Sequence, residues 1–174
     1  MSHFSVGPPR PPYIVLVDDN PVYLDTAKAF IEMELIGFTV FKALGPIEAI
    51  AVRNSLDGPA IFMADYQMPD MDGIRFLKYI KVSSRFRVYP YLVTAYDDHR
   101  ILGESLRNGI LYFSKNPPRD GDTFNLGDLY KDHIFFAVEQ LKSMHAKDGL
   151  TGLDMTTEAF LVWKNEFVRA KRGG

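Results

Sequence analysis

Three aspartates fall within eight residues of the stretch IFMADYQMPDMDGIRFL, residues 61–77. Asp65 closes an apolar run, and Asp70 and Asp72 follow a Met-Pro pair. Other polar residues stand in like positions. Asp18 and Asp19 follow the apolar run YIVLV, Thr94 ends a fourth apolar run, and Lys115 follows ILYFS. If these runs are parallel strands, their carboxyl ends share one edge of a sheet. Ligands of open α/β sheets bind at that edge, where strand order reverses. Three carboxylates, a hydroxyl and an ammonium would then meet in one crevice.

Such acids repel one another and raise each other's pKa. A divalent cation removes that penalty. Oxygen ligands without His or Cys suit a hard ion, and Mg²⁺ keeps waters while taking one or two carboxylates. Lys115 adds a compact positive charge suited to a phosphate oxygen. An aspartate beside Mg²⁺ and lysine can attack phosphorus and form an acyl phosphate. Metal and lysine stabilise charge on the group in transfer, and Thr94 can donate its hydroxyl to a phosphoryl oxygen.

The elements that must position these groups are legible as a rhythm. YIVLV (13–17) is a continuous apolar run, as in a strand buried on both faces. Asn20 is a good N-cap and Pro21 a good first helical residue. Leu24, Ala27, Phe30, Ile31 and Leu35 recur at helical spacing until Gly37. FTVFKA (38–43) is a strand of mixed polarity, expected near a sheet edge. Pro46 opens a second helix to about Leu56, with Ile47, Ile50 and Ala51 expected inward. AIFMA (60–64) is a third strand, GIRFLKYIK (73–81) a one-faced helix. VYPYLV (88–93) is a fourth strand, which Pro90 is expected to leave irregular or unpaired in its first half. DDHRILGESLRNG (97–109) is a weaker helix, and ILYFS (110–114) a fifth strand. A polar loop (116–128) and a strongly periodic helix (129–145) follow. Five strands alternating with five helices predict an α/β fold: a doubly wound parallel sheet, right-handed crossovers, helices on both faces.

Composition narrows the function. The net charge of −2 gives no electrostatic case for nucleic acid or an anionic membrane. Without cysteine there is no disulfide framework, thiolate zinc site or cysteine nucleophile. No apolar run approaches the ~20 residues of a membrane span, and the Pro-rich lead-in (1–12) lacks the features of a signal peptide. A cytoplasmic location is expected.

At VLVDDNP (15–21), DYQMPDMDG (65–73), TAY (94–96) and YFSKNP (112–117) the sequence resembles a bacterial two-component response regulator receiver domain. The blocks stand in family order with family-like gaps, over roughly 13–145. The resemblance implies a flavodoxin-like (βα)5 fold with strand order 2-1-3-4-5. It implies Asp65 as phospho-acceptor, and Asp18 and Asp19 as the acidic pair that holds Mg²⁺, with the backbone carbonyl of Gln67 as a further ligand. Thr94 resembles the switch hydroxyl, Lys115 the phosphate-contacting lysine, Tyr112 the aromatic residue whose rotamer reports activation, and Ala95 the small residue that leaves access. Gln67 and Tyr96 occupy positions that tune phosphoryl lifetime. A sensor histidine kinase is the implied phosphate donor. The surface of the fourth helix, fifth strand and fifth helix is the implied output face and one route to a homodimer. The domain would be a signalling acceptor and not an enzyme in the usual sense. One departure stands out: Asn116 separates Lys115 from Pro117, where the family has proline directly after the lysine.

Each feature also has a plainer reading. Asp18 and Asp19 could serve only a helix dipole. Asp70 and Asp72 suit a turn and a helix cap better than a metal, and Met68 and Pro69 shape the loop. Threonine is common in strands, Tyr112, Phe135 and Phe136 could be core, and His3, His99, His133 and His145 suit surface or packing roles. The agreement of four blocks favours the functional reading at Asp65. A rival enzyme, an aspartate-nucleophile phosphatase, needs a second Asp two residues on, and position 67 is Gln. A receiver used only for docking would not need Asp65, Thr94 and Lys115 together.

The receiver is expected to occupy 13–147, with 148–174 a linker, an appended helix or the start of an output region. DGLTGL (148–153) resembles the opening of a diguanylate cyclase domain, without the Asn-Arg that usually follows or a GG[DE]EF signature. Phe160, Trp163 and Phe167 share one side of the helix expected over 156–170, a candidate dimer contact or effector linker.

Overall fold

A computed structural model describes residues 12–115 except Ile36 and Asp97. The loop 116–128, the helix 129–145 and the tail lie outside the described residues. The five strands are β1 (Tyr13–Val17), β2 (Val40–Ala43), β3 (Ala60–Ala64), β4 (Val88–Thr94) and β5 (Leu111–Ser114). The described helices are α1 (Pro21–Glu34), α2 (Pro46–Ser55), α3 (Gly73–Ser83) and α4 (His99–Arg107). All strand pairs are parallel, in the order β2-β1-β3-β4-β5. The expected flavodoxin-like order is therefore observed, with β2 at the edge that its mixed polarity suggested.

The alternation of side chains along each strand splits the core in two. Ile14, Leu16, Ile61, Met63 and Tyr91 pack with Leu24, Ala27 and Ile31 of α1 on one face. Val15, Val17, Phe62, Ala64 and Leu92 pack on the other with Ala49 of α2, Ile74, Phe76, Leu77 and Ile80 of α3 and Ile101 of α4. Helices thus cover both faces, and each fully buried Leu, Ile or Phe contributes about 1.5–3 kcal/mol.

Asn20 caps α1 as expected, its side chain accepting from the N–H groups of Val22 and Tyr23 at 3.0 and 3.2 Å. Gly37, past the helix end, takes the left-handed φ of 95°. Asp72 caps α3 by accepting from the Arg75 N–H at 2.9 Å. Asp70 occupies the turn before it with φ 76°, a conformation that aspartate tolerates better than most residues.

Four local expectations are corrected. In α2, Ile47 is 72% exposed and Ala51 is also exposed, while Pro46 and Ala49 are buried and Ile50 half-buried. Almost every residue from 46 to 52 is apolar, so hydropathy leaves the helix phase undetermined, and packing against β1 and β2 selects the stripe of smaller residues. In α1, Phe30 lies at the rim, 36% exposed. In β4, Pro90 breaks nothing: the strand is regular, buried throughout, and paired with β3 from Val88 to Leu92. Backbone groups of a parallel strand alternate sides, and Pro90 shares the parity of Thr94, whose carbonyl faces Lys115 beyond β5. The missing N–H of Pro90 therefore points toward β5, whose pairing starts only at Tyr91. β2 is also shorter than expected, but Phe38 is buried ahead of it and the Thr39 carbonyl accepts from the Ile14 N–H at 3.0 Å.

Candidate functional site

Three site residues are held by the last rungs of the sheet ladder. The Asp18 N–H donates to the Ala43 carbonyl at 3.1 Å, the Asp65 N–H to Val17 at 2.9 Å, and the Lys115 N–H to Thr94 at 2.9 Å. Each residue stands one step past its strand, on the same sheet edge. Because β1 and β3 are neighbours, Asp18 and Asp65 meet directly, at the point where the chain order reverses across β1.

Asp18, Asp19 and Asp65 each offer a carboxylate oxygen within 4.8 Å of the others. Asp18 is buried, Asp65 half-buried and Asp19 exposed. The Lys115 ammonium reaches in from β5. It donates to Asp18 Oδ2 and lies 3.3 Å from Asp65 Oδ1. The second oxygen of Asp18 accepts from the Asn20 N–H at 2.9 Å. Burial pushes the Asp65 carboxyl above its usual pKa, and the Asp18 charge adds to the effect; Lys115 opposes both. Among the described residues one ammonium faces three carboxylates, so this set of groups has an excess of negative charge. An all-oxygen donor set with that excess can hold a hard divalent cation.

Thr94 is fully buried, and its Oγ1 accepts from the Tyr96 N–H at 3.2 Å. Tyr96 continues the contact outward. Its hydroxyl donates to Gln67 Oε1, its ring meets the Tyr66 ring edge-on with centroids 6.2 Å apart, and its carbonyl accepts from the Tyr112 hydroxyl at 2.5 Å. Ala95 is exposed beside the site. Asp70 and Asp72 stand apart as turn and cap, as the plainer reading had it.

Two contributors escaped the reading of motifs. Tyr23 presents its ring to the Lys115 ammonium, 4.0 Å from the centroid. Gly73 stands so close to the Asp65 carbonyl that a Cβ there would lie 2.1 Å from its oxygen. The glycine was legible as part of a block, but not its reason. Tyr23 lies in the first turn after the DDNP turn, a position from which a helical side chain leans back toward the helix start.

The model of the response regulator receiver domain family matches residues 14–119. The chain is 28% identical over 104 residues to the probable C4-dicarboxylate response regulator DctR of Halalkalibacterium halodurans, 60% of this chain and 44% of that protein. It is 25% identical over 158 residues to a cyclic di-GMP phosphodiesterase of Thermotoga maritima, 89% of this chain and 41% of that protein. The chain spans less than half the length of either relative. A CheY-like receiver domain structure from Methanospirillum hungatei superposes with a TM-score of 0.57 at 28% identity, over 76% of this chain and 98% of that one. Among the described residues no helix is long and apolar enough to cross a membrane. With the family's model matched over more than half its residues and the family's strand order in its sheet, the chain belongs to the response regulator receiver domains of two-component systems.

Proposed function

We propose that this chain accepts a phosphoryl group on Asp65 from a sensor histidine kinase in a Mg²⁺-dependent reaction. One observation carries the reading: the Asp65 carboxylate lies 3.3 Å from the Lys115 ammonium and within 4.8 Å of the Asp18 and Asp19 oxygens. Asp18, Asp19, Asp65 and the backbone carbonyl of Gln67 would hold the ion. Bound Mg²⁺ supplies charge neutralisation, which favours the ionised carboxylate needed for attack. An Asp65 oxygen forms the bond to phosphorus while the phosphorus–nitrogen bond to the donor histidine breaks, leaving neutral imidazole after protonation. Lys115 faces the phosphoryl oxygens as a point charge.

Thr94 then acts as the switch. Its oxygen already accepts from the Tyr96 N–H, which leaves the hydroxyl proton for a phosphoryl oxygen. The hydrogen bonds from Thr94 through Tyr96 to Tyr112 supply a physical path to the face of α4, β5 and the helix expected after it. That face, or the C-terminal helix, would meet a partner or a second copy. Ala95 leaves room for the donor. The domain, taken as 13–147, works as a signalling acceptor in the cytoplasm, with 148–174 leading to an output.

Acetyl phosphate with Mg²⁺ tests the reading. Intact mass spectrometry should detect one phosphoryl group on the wild type and none on Asp65→Asn. Labelling that survives the substitution removes Asp65 from the role.

A further inference from the structure

We infer that Tyr23 is a positioning residue for Lys115, holding its ammonium over the acceptor through the face of the phenol ring. The inference rests on the phospho-acceptor reading of Asp65 and adds a residue to it. The Lys115 Nζ lies 4.0 Å from the Tyr23 ring centroid, well inside the ~6 Å range of cation–π attraction. Tyr23 is itself held. Its backbone N–H donates to the Asn20 cap at 3.2 Å, and its side chain packs against the core cluster under α1. Asn20 also donates its N–H to Asp18. The run Asp18–Tyr23 thus supplies both a carboxylate and a ring face to one lysine that lies 97 residues from Asp18 in sequence.

The lysine has reason to need the second anchor. Residue 116 is Asn, so Lys115 lacks the backbone restriction that a following proline imposes. Its side chain has four rotatable bonds and large rotamer entropy. Among the described residues its ionic partners, Asp18 and Asp65, are both members of the cluster that would hold a cation. Once those carboxylates turn toward a divalent ion, their hold on the ammonium weakens, and the ion repels it. The ring is neutral and takes no part in that competition, so it keeps the ammonium near the acceptor when the phosphoryl group arrives. A tyrosine that only filled space would show no dependence on the lysine.

The test measures binding of beryllofluoride, a phosphoryl mimic, by calorimetry at saturating Mg²⁺, and of Mg²⁺ alone. Tyr23→Phe keeps the ring face and should bind both within twofold of wild type. Tyr23→Leu should weaken beryllofluoride binding roughly two- to fivefold, the size of a half-exposed cation–π contact, while Mg²⁺ binding stays within twofold. In a Lys115→Ala background, the loss from Tyr23→Leu should vanish, because the two residues act through one contact. Tyr23→Met, which refills the space, replaces Tyr23→Leu if that variant does not fold. Equal beryllofluoride binding by wild type and Tyr23→Leu would overturn the inference. So would an equal loss in Tyr23→Phe, or an undiminished loss in the Lys115→Ala background. A wild type that binds Mg²⁺ but neither beryllofluoride nor acetyl phosphate's phosphoryl group sinks the acceptor reading instead.

Discussion

Gly73 and the backbone of Asp65 leave no room between them. A Cβ at position 73 would approach the Asp65 carbonyl oxygen to 2.1 Å and the Leu92 side chain to 2.8 Å. The next peptide is tied to the same glycine, whose N–H donates to the Tyr66 carbonyl at 2.7 Å. The start of α3 is thereby pressed against the peptide that carries the candidate acceptor. A backbone oxygen cannot rotate away as a side chain can. Gly73→Ala should therefore lose about 3 kcal/mol, the upper part of the range for overpacking, and melt roughly 6–12 °C lower. A variant that melts with the wild type would show that the loop yields freely.

Lys115 neutralises a carboxylate that has almost no access to water, since the Asp18 side chain is 2% exposed. Removing the partner of a buried charge is far more damaging than the pair itself is stabilising. Lys115→Met should lose on the order of 3 kcal/mol in chelator, measured by urea unfolding. Adding Mg²⁺ should recover much of that loss, because a cation can take over the lysine's part. A deficit that ignores Mg²⁺ would mean that the ion does not reach Asp18.

Asp65 carries a pH signature of known sign. Its pKa is raised in the fold, chiefly by burial, above the unfolded value of 3.8. Its protonated form therefore favours folding. That contribution is complete below pH 3.8 and is lost as pH rises through the folded pKa. In chelator, Asp65→Asn should become more stable than wild type across that window and keep the advantage at neutral pH. Denaturant titrations of both proteins from acid to neutral check it. With Mg²⁺ the advantage should shrink or reverse, because the ion stabilises only the carboxylate. An advantage unaltered by Mg²⁺ would exclude Asp65 from the ion's ligands.

The cap at Asn20 stabilises α1 and with it the position of Tyr23. Asn20→Ala removes the acceptor for two N–H groups, of Val22 and Tyr23. It should lose ~1 kcal/mol and lower the melting temperature by about 2–4 °C. Asn20→Asp, which keeps an accepting oxygen, should recover most of the loss. A loss shared by both variants would point to something other than capping.

Much of this protein was legible in its residue order. Continuous apolar runs mark strands buried on both faces, and YIVLV and AIFMA became β1 and β3 with the expected bounds. Polar residues directly after such runs had to share an edge once the strands were parallel, so the meeting of Asp18, Asp65 and Lys115 followed from local pattern and chain order. Asn20 and Asp72 announced their caps because capping depends only on near neighbours.

Tertiary packing decided the rest, since it acts between residues that sequence spacing does not relate. Which stripe of α2 turned inward depended on the surface of β1 and β2, and Ile47 was left in solvent while Ala49 was buried. Pro90 was harmless because β5 begins pairing only one residue later. The reason for Gly73 lay in the Asp65 carbonyl, and the partner of the Tyr23 ring was a lysine at the far end of the sheet's chain order. Residue types and periodicity set which groups could do chemistry; the close approach of distant backbone and side chains, governed by excluded volume and charge, set where each one stands.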